Sequence, residues 1–157
     1  MEVQEIEIVF NMSLANFLLA ELTNLCTESR KRSPEVRESS ETLLEFIKQW
    51  KRSSRSSPDP RIDDVELSKE LKNIGEKSIH PFLLAFSSKN VKLVQLSISC
   101  IQRLILHKGL DNLYASNLLS AFSDILDLGL DVQLKILQTI LPLLMNLDEI
   151  DLEVVSM

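Results

Sequence analysis

A chain of 157 residues is long enough for one domain with its own core, and its 45% hydrophobic content is that of a folded protein, not a disordered one. Three glycines and five prolines are too few for the turns of an all-β sandwich or a doubly wound sheet, so helices are the economical architecture. The net charge is −6 and aromatics make up only 5%; a local basic surplus between Arg30 and Arg61, nine Lys/Arg against five Asp/Glu, sits inside an acidic chain, which argues against a nucleic-acid binder.

Residues 3–10 alternate in part like a strand, and residues 1–11, which precede a second methionine, Met12, read as an appendage, either an upstream extension or an expression remnant. From Ser13, a good N-cap, the set Leu14, Phe17, Leu18, Leu22 and Leu25 follows helical spacing and predicts a helix to about Lys31. Ser33-Pro34-Glu35 supplies a cap, a proline in the first turn and an acid, and the helix it opens is expected to end near Lys51. Residues 52–61 hold two prolines and no apolar side chain, which predicts a mobile loop. Asp63 and Asp64 are placed to cap a short helix carrying Val65, Leu67, Leu71 and Ile74, which Gly75 would end. Another short helix is expected over 79–86, and three stronger ones over 90–107, 112–128 and 131–147, with breaks at Gly109 and Gly129. The domain then spans 12–147 and is followed by an acidic tail, 148–157, so that the sequence reads as the start of something longer.

The periodicity of these last three helices differs. The middle one has a single apolar face. The other two are apolar around most of their circumference, leaving narrow polar stripes: Lys92, Gln95, Ser99, Gln102 and Arg103 on the first, Lys135, Gln138 and Thr139 on the last. Such helices are expected to be covered on two sides, and their recurrence at roughly 40 residues is that of HEAT and armadillo arrays. The reading is an all-α, armadillo/HEAT-like α-solenoid of about six to seven helices.

No enzymatic constellation accompanies this pattern. The three glycines lie at least twenty positions apart, so no phosphate-cradling loop exists and no cofactor is expected. His80 and His107 stand 27 residues apart without flanking ligands, which fits ordinary surface or helix-end histidines better than a zinc site. Cys26 and Cys100 fall in apolar helical stretches and read as reduced core residues. Lys48, Lys51, Arg52 and Arg55, beside Trp50, could touch an anionic membrane, though a solvated linker with helix-end cations explains them better; no segment is apolar enough to span a bilayer, so any membrane contact is peripheral. Gln102, Arg103, Lys135 and Gln138 are the candidates for partner binding, because these narrow polar stripes are what the two apolar helices can offer to an outside molecule; solvating a surface or hydrogen bonding between neighbouring helices is the alternative.

The segment from His80 to His107, with its Pro81-Phe82 and Ile101-Gln102-Arg103-Leu104, resembles the N-terminal dimerisation and cyclophilin-binding region of the large Sec-seven-type Arf guanine-nucleotide exchange factors and of their Golgi relatives, the monensin-sensitivity (Mon-two) family. Glu21-Leu22 through Ser29-Arg30-Lys31-Arg32 with Val36-Arg37-Glu38 is similar to that family's first helix and turn, and Leu134-Lys135-Ile136-Leu137-Gln138-Thr139 to a later helix. The resemblance runs from about Leu14 to Leu144. It implies a non-catalytic helical-repeat scaffold of Golgi and endosomal traffic, cytoplasmic and peripheral on trans-Golgi and endosome membranes. It further implies a Dopey-family partner, an Arf-like small GTPase, room for self-association, and a place at the N-terminus of a much longer protein. The other reading it leaves open is the regulatory N-terminal domain of a true Arf exchange factor.

Overall fold

The computed structural model describes residues 12–53 and 59–147, with only the backbone of Pro60, Asn146 and Leu147. Seven α-helices organise them: α1 (Leu14–Glu28), α2 (Pro34–Ser53), α3 (Pro60–Ile74), α4 (His80–Ser87), α5 (Val91–Leu106), α6 (Ala115–Asp124) and α7 (Leu130–Leu147). Short 3-10 turns occupy Gly75–Ser78, Asn112–Tyr114 and Leu126–Leu128, and no strand occurs among the described residues. The expected appendage and acidic tail lie outside this description, as do residues 54–58 of the expected loop; Arg52 and Ser53 belong to α2, and Pro60 and Arg61 to α3.

Most helix starts follow from local chemistry. The Ser13 hydroxyl accepts the Asn16 N–H at 3.2 Å, and the Asn90 carboxamide oxygen accepts from Lys92 and Leu93, satisfying donors that a helix's own first turn leaves free. The cap of α3 differs from the sequence expectation. Asp59, not Asp63 or Asp64, takes the Arg61 N–H at 3.0 Å, and Pro60 follows it in the first turn. Asp64 is used across the fold instead: its carboxylate accepts the Leu14 N–H at 2.9 Å and so caps α1.

Helix ends depart from expectation in two further places. α5 closes in a Schellman arrangement, with Gly109 N–H on Leu104 C=O at 2.8 Å and Lys108 N–H on Ile105 C=O at 3.1 Å. The left-handed residue there is Lys108, with φ 56°, and not the glycine after it. The helix expected over 112–128 is cut short at Asp124, with 3-10 turns on both sides of α6. Side chains take its terminal carbonyls: the Lys89 ammonium donates to Asp124 C=O, and the Gln133 carboxamide donates to Leu126 C=O at 2.7 Å.

Packing sorts the helices into two rows. In one row α1 packs on α5 and α5 on α7; in the other α2 packs on α4 and α4 on α6; α1–α2, α4–α5 and α6–α7 are the contacts between rows. The helices form an all-α repeat, as the sequence predicts, with a single contiguous core running from Leu14 to Leu143. Phe86 and Phe122 meet edge-to-face at 5.8 Å where α4 touches α6. Fully burying a side chain such as Leu22 or Ile98 stabilises the fold by about 1.5–3 kcal/mol.

The expectation that both apolar helices are covered on two sides holds for α5, which lies between α1 and α7, and fails for α7. Val132, Ile136 and Leu143 of α7 are buried, while Leu130, Leu134, Leu137, Leu141, Leu144 and Met145 are 69, 48, 64, 65, 44 and 63% exposed. α7 stands at the end of its row among the described residues and has a neighbour on one side only.

Candidate protein-binding surface

The polar stripes of α5 and α7 face one another. The Gln102 carboxamide donates to the Thr139 hydroxyl at 2.9 Å and to the Lys135 carbonyl at 3.2 Å. The Thr139 hydroxyl, fully buried, donates to the same carbonyl at 2.7 Å, and the Lys135 ammonium donates to the Ser99 hydroxyl at 2.8 Å. These bonds form a polar seam inside an apolar contact, where each group would otherwise be left desolvated without a partner. Arg103 points the other way. It is only 7% exposed, and its guanidinium lies 4.6 Å from the centre of the Phe17 ring on α1. Three of the four residues proposed for partner binding therefore lie in helix seams, and Gln138 alone is exposed.

A second junction ties α1, α3 and α5. Besides capping α1, Asp64 places its other carboxylate oxygen 3.8 Å from His107 Nδ1, while the Nε2 atom of that imidazole is buried with no hydrogen-bond partner. Burial draws the His107 pKa down, Asp64 opposes this, and the Arg103 charge adds to it. Neutral imidazole is therefore the form this junction favours. Half-buried Glu21 on α1 is shifted upward by burial, against an Asn24 hydrogen bond and the charges of Lys135 and Lys92.

The basic candidates are less concentrated than their sequence spacing implies. Lys48, Lys51 and Arg52 are exposed, but the Lys51 ammonium is engaged by Asn16 Oδ1 at 2.7 Å and Arg52 approaches Glu45 at 4.0 Å. Trp50 packs against the core instead of projecting beside them, and Arg55 lies outside the described residues. No helix among the described residues is long and apolar enough to cross a membrane.

Nothing built for chemistry stands out. A groove of about 450 Å³ between α2 and α4 is lined by Glu35, Glu38, Thr42, Lys77 and His80 among others, and no group of three or more His, Cys, Asp or Glu that could hold a metal exists among the described residues. Both cysteines are free, and burial raises both thiol pKa values, which favours the protonated thiols. The feature that sequence reasoning missed is the leucine face of α7. Its signal was legible, since Leu130, Leu134, Leu137, Leu141 and Leu144 alternate steps of four and three, but periodicity cannot tell a face covered by a neighbour from one left open.

A two-row helical array with an internal polar seam and one open apolar helix face defines a protein-binding repeat domain. The chain belongs to the Mon2/Sec7/BIG1-like dimerisation and cyclophilin-binding domain family, whose model matches residues 10–156. It is 30% identical to Protein MON2 of Saccharomyces cerevisiae over 128 residues, 82% of this chain and 7% of that protein. It is 30% identical to the MON2 homolog of Xenopus laevis over 131 residues, 83% of this chain and 7% of that one. With the human MON2 homolog it shares 29% identity over 125 residues, 80% of this chain and 7% of the relative. The chain thus spans less than a tenth of the length of these curated relatives. No solved structure matches it. The domain is a non-catalytic protein–protein scaffold.

Proposed function

We propose that the chain serves Golgi and endosome traffic as a self-associating scaffold module, held on the cytoplasmic face of those membranes as a peripheral component. The observation that carries this reading is the family match over nearly the whole chain together with MON2 relatives from yeast to vertebrates. A Dopey-family protein and an Arf-like small GTPase are the partners in this reading. Gln102, Arg103, Lys135 and Gln138 remain the candidate contacts in this reading, and the exposure of Gln138 supports it over the other three.

The test is direct. A fluorescent fusion of the chain is expected to concentrate on Golgi membranes, and purified Dopey-family protein or GTP-loaded Arf-like protein to bind it in solution. Diffuse fluorescence with no binding of either protein would overturn the reading. The runner-up, a regulatory domain of an Arf exchange factor, draws on the same family description, which spans Sec7 and BIG1-like proteins. It requires a Sec-seven catalytic domain downstream in the same gene.

A further inference from the structure

We propose that Ser33, in the turn between α1 and α2, is a phosphorylation site whose phosphate is held by the first turn of α2. Ser33-Pro34 is one of two Ser-Pro steps in the chain, the other being Ser57-Pro58, where both residues lie outside the described ones. Three consecutive cations, Arg30, Lys31 and Arg32, precede it. All three are exposed, as is Pro34, and none is held in an ion pair among the described residues. The turn therefore offers a proline-directed protein kinase a serine with its proline after it and free positive charge before it. Ser33 itself is partly exposed, and its hydroxyl is engaged in no hydrogen bond among the described residues, whereas the hydroxyls of Ser29 and Ser53 are tied to carbonyls of their own helices. A helix end opens far more readily than its middle, which lets the turn take the extended form that a kinase binds.

In the transfer the Ser33 Oγ attacks the γ-phosphorus of MgATP. One O–P bond forms, the bond from that phosphorus to the β–γ bridging oxygen breaks, ADP leaves with the electron pair, and the hydroxyl proton passes to a carboxylate of the kinase. The product carries about two negative charges at neutral pH. Pro34 has no N–H, so the first donors that α2 can turn to a phosphate are those of Glu35 and Val36, two and three residues beyond Ser33, where an N-cap oxygen is ordinarily received. Arg37 stands one turn along, with its N–H on the Ser33 carbonyl at 3.2 Å, and helical side chains lean towards the N-terminus. Its Nε is buried without a hydrogen-bond partner, the Glu41 carboxylate being 3.8 Å away. Glu35 repels a phosphate here, but Arg30, Lys31, Arg32 and Arg37 outnumber it.

The test uses the full 157-residue chain carrying Ser57→Ala, recovered from cultured eukaryotic cells under phosphatase inhibition and mapped by mass spectrometry. A phosphate is expected at position 33, absent in Ser33→Ala and retained in Ser33→Thr. The same chain, phosphorylated in solution by a proline-directed kinase with MgATP, is expected to melt about 2–4 °C above its phosphatase-treated form. Ser33→Ala should show no such rise, and Arg37→Gln should lose at least half of it. No phosphate at position 33 in a chain with an intact helical spectrum overturns the proposal. So does a phosphorylated chain that melts no higher than its phosphatase-treated form, because the first turn of α2 would then not be holding the group.

Discussion

Gln102 shows how one side chain fits either of the two roles the sequence allows it. From the sequence it is one of few polar groups on an apolar helix, and in the fold it makes two hydrogen bonds to α7. Replacing it with alanine is expected to cost about 1–2 kcal/mol, a fall of roughly 2–8 °C in the melting temperature; unchanged binding per folded molecule would assign it to the fold, and weakened binding to the partner surface. Glu21 makes an opposite prediction. Its pKa is raised in the fold, so the protonated form is the favoured one and the stability this contributes is present at low pH and lost as pH rises through the folded value. Glu21→Gln should therefore raise the melting temperature at pH 7, and the gain should vanish below the ordinary glutamate value of about 4.3. For His107 the folded pKa is depressed, so its contribution is present above the unfolded value of about 6.5 and lost as pH falls. His107→Gln is expected to flatten the decline in melting temperature between neutral and mildly acidic pH; an identical decline would remove His107 as its source.

At the scale of the element, helix boundaries were legible wherever one residue type does the work. Ser13 and Pro34 announced α1 and α2 because a cap or a first-turn proline acts within three residues of itself. Asp64 was misread for the complementary reason: its carboxylate bonds a donor fifty positions away, which no local rule contains. The end of α5 carries a testable cost. Lys108 holds a left-handed conformation that costs a non-glycine residue about 1–2 kcal/mol. Lys108→Gly should stabilise the protein by up to about 1 kcal/mol in a denaturant titration, part of the relief being offset by the greater freedom of glycine in the unfolded chain. Asn90→Ala, by contrast, should lower stability by about 1 kcal/mol through loss of the α5 cap.

For the molecule as a whole, the single core that links both rows implies one cooperative transition. Leu22→Ala, fully buried on α1, should cost about 2–5 kcal/mol. Trp50 fluorescence, reporting on the end of α2, and the helical far-ultraviolet signal should move together in wild type and variant alike. Separate transitions would show that the first helical pair melts apart from the rest.

The number and type of elements, the 40-residue recurrence and the family were written in the sequence, because apolar periodicity and caps act within one or two turns of the chain. The same periodicity marked α5 and α7 as apolar on two sides. What it could not supply was occupancy: α5 finds neighbours in both α1 and α7, whereas α7 finds only α5 in its own row and leaves its leucines in water. Only the tertiary structure decided which stripe was core and which was surface, since burial depends on what stands opposite a helix and not on the helix itself.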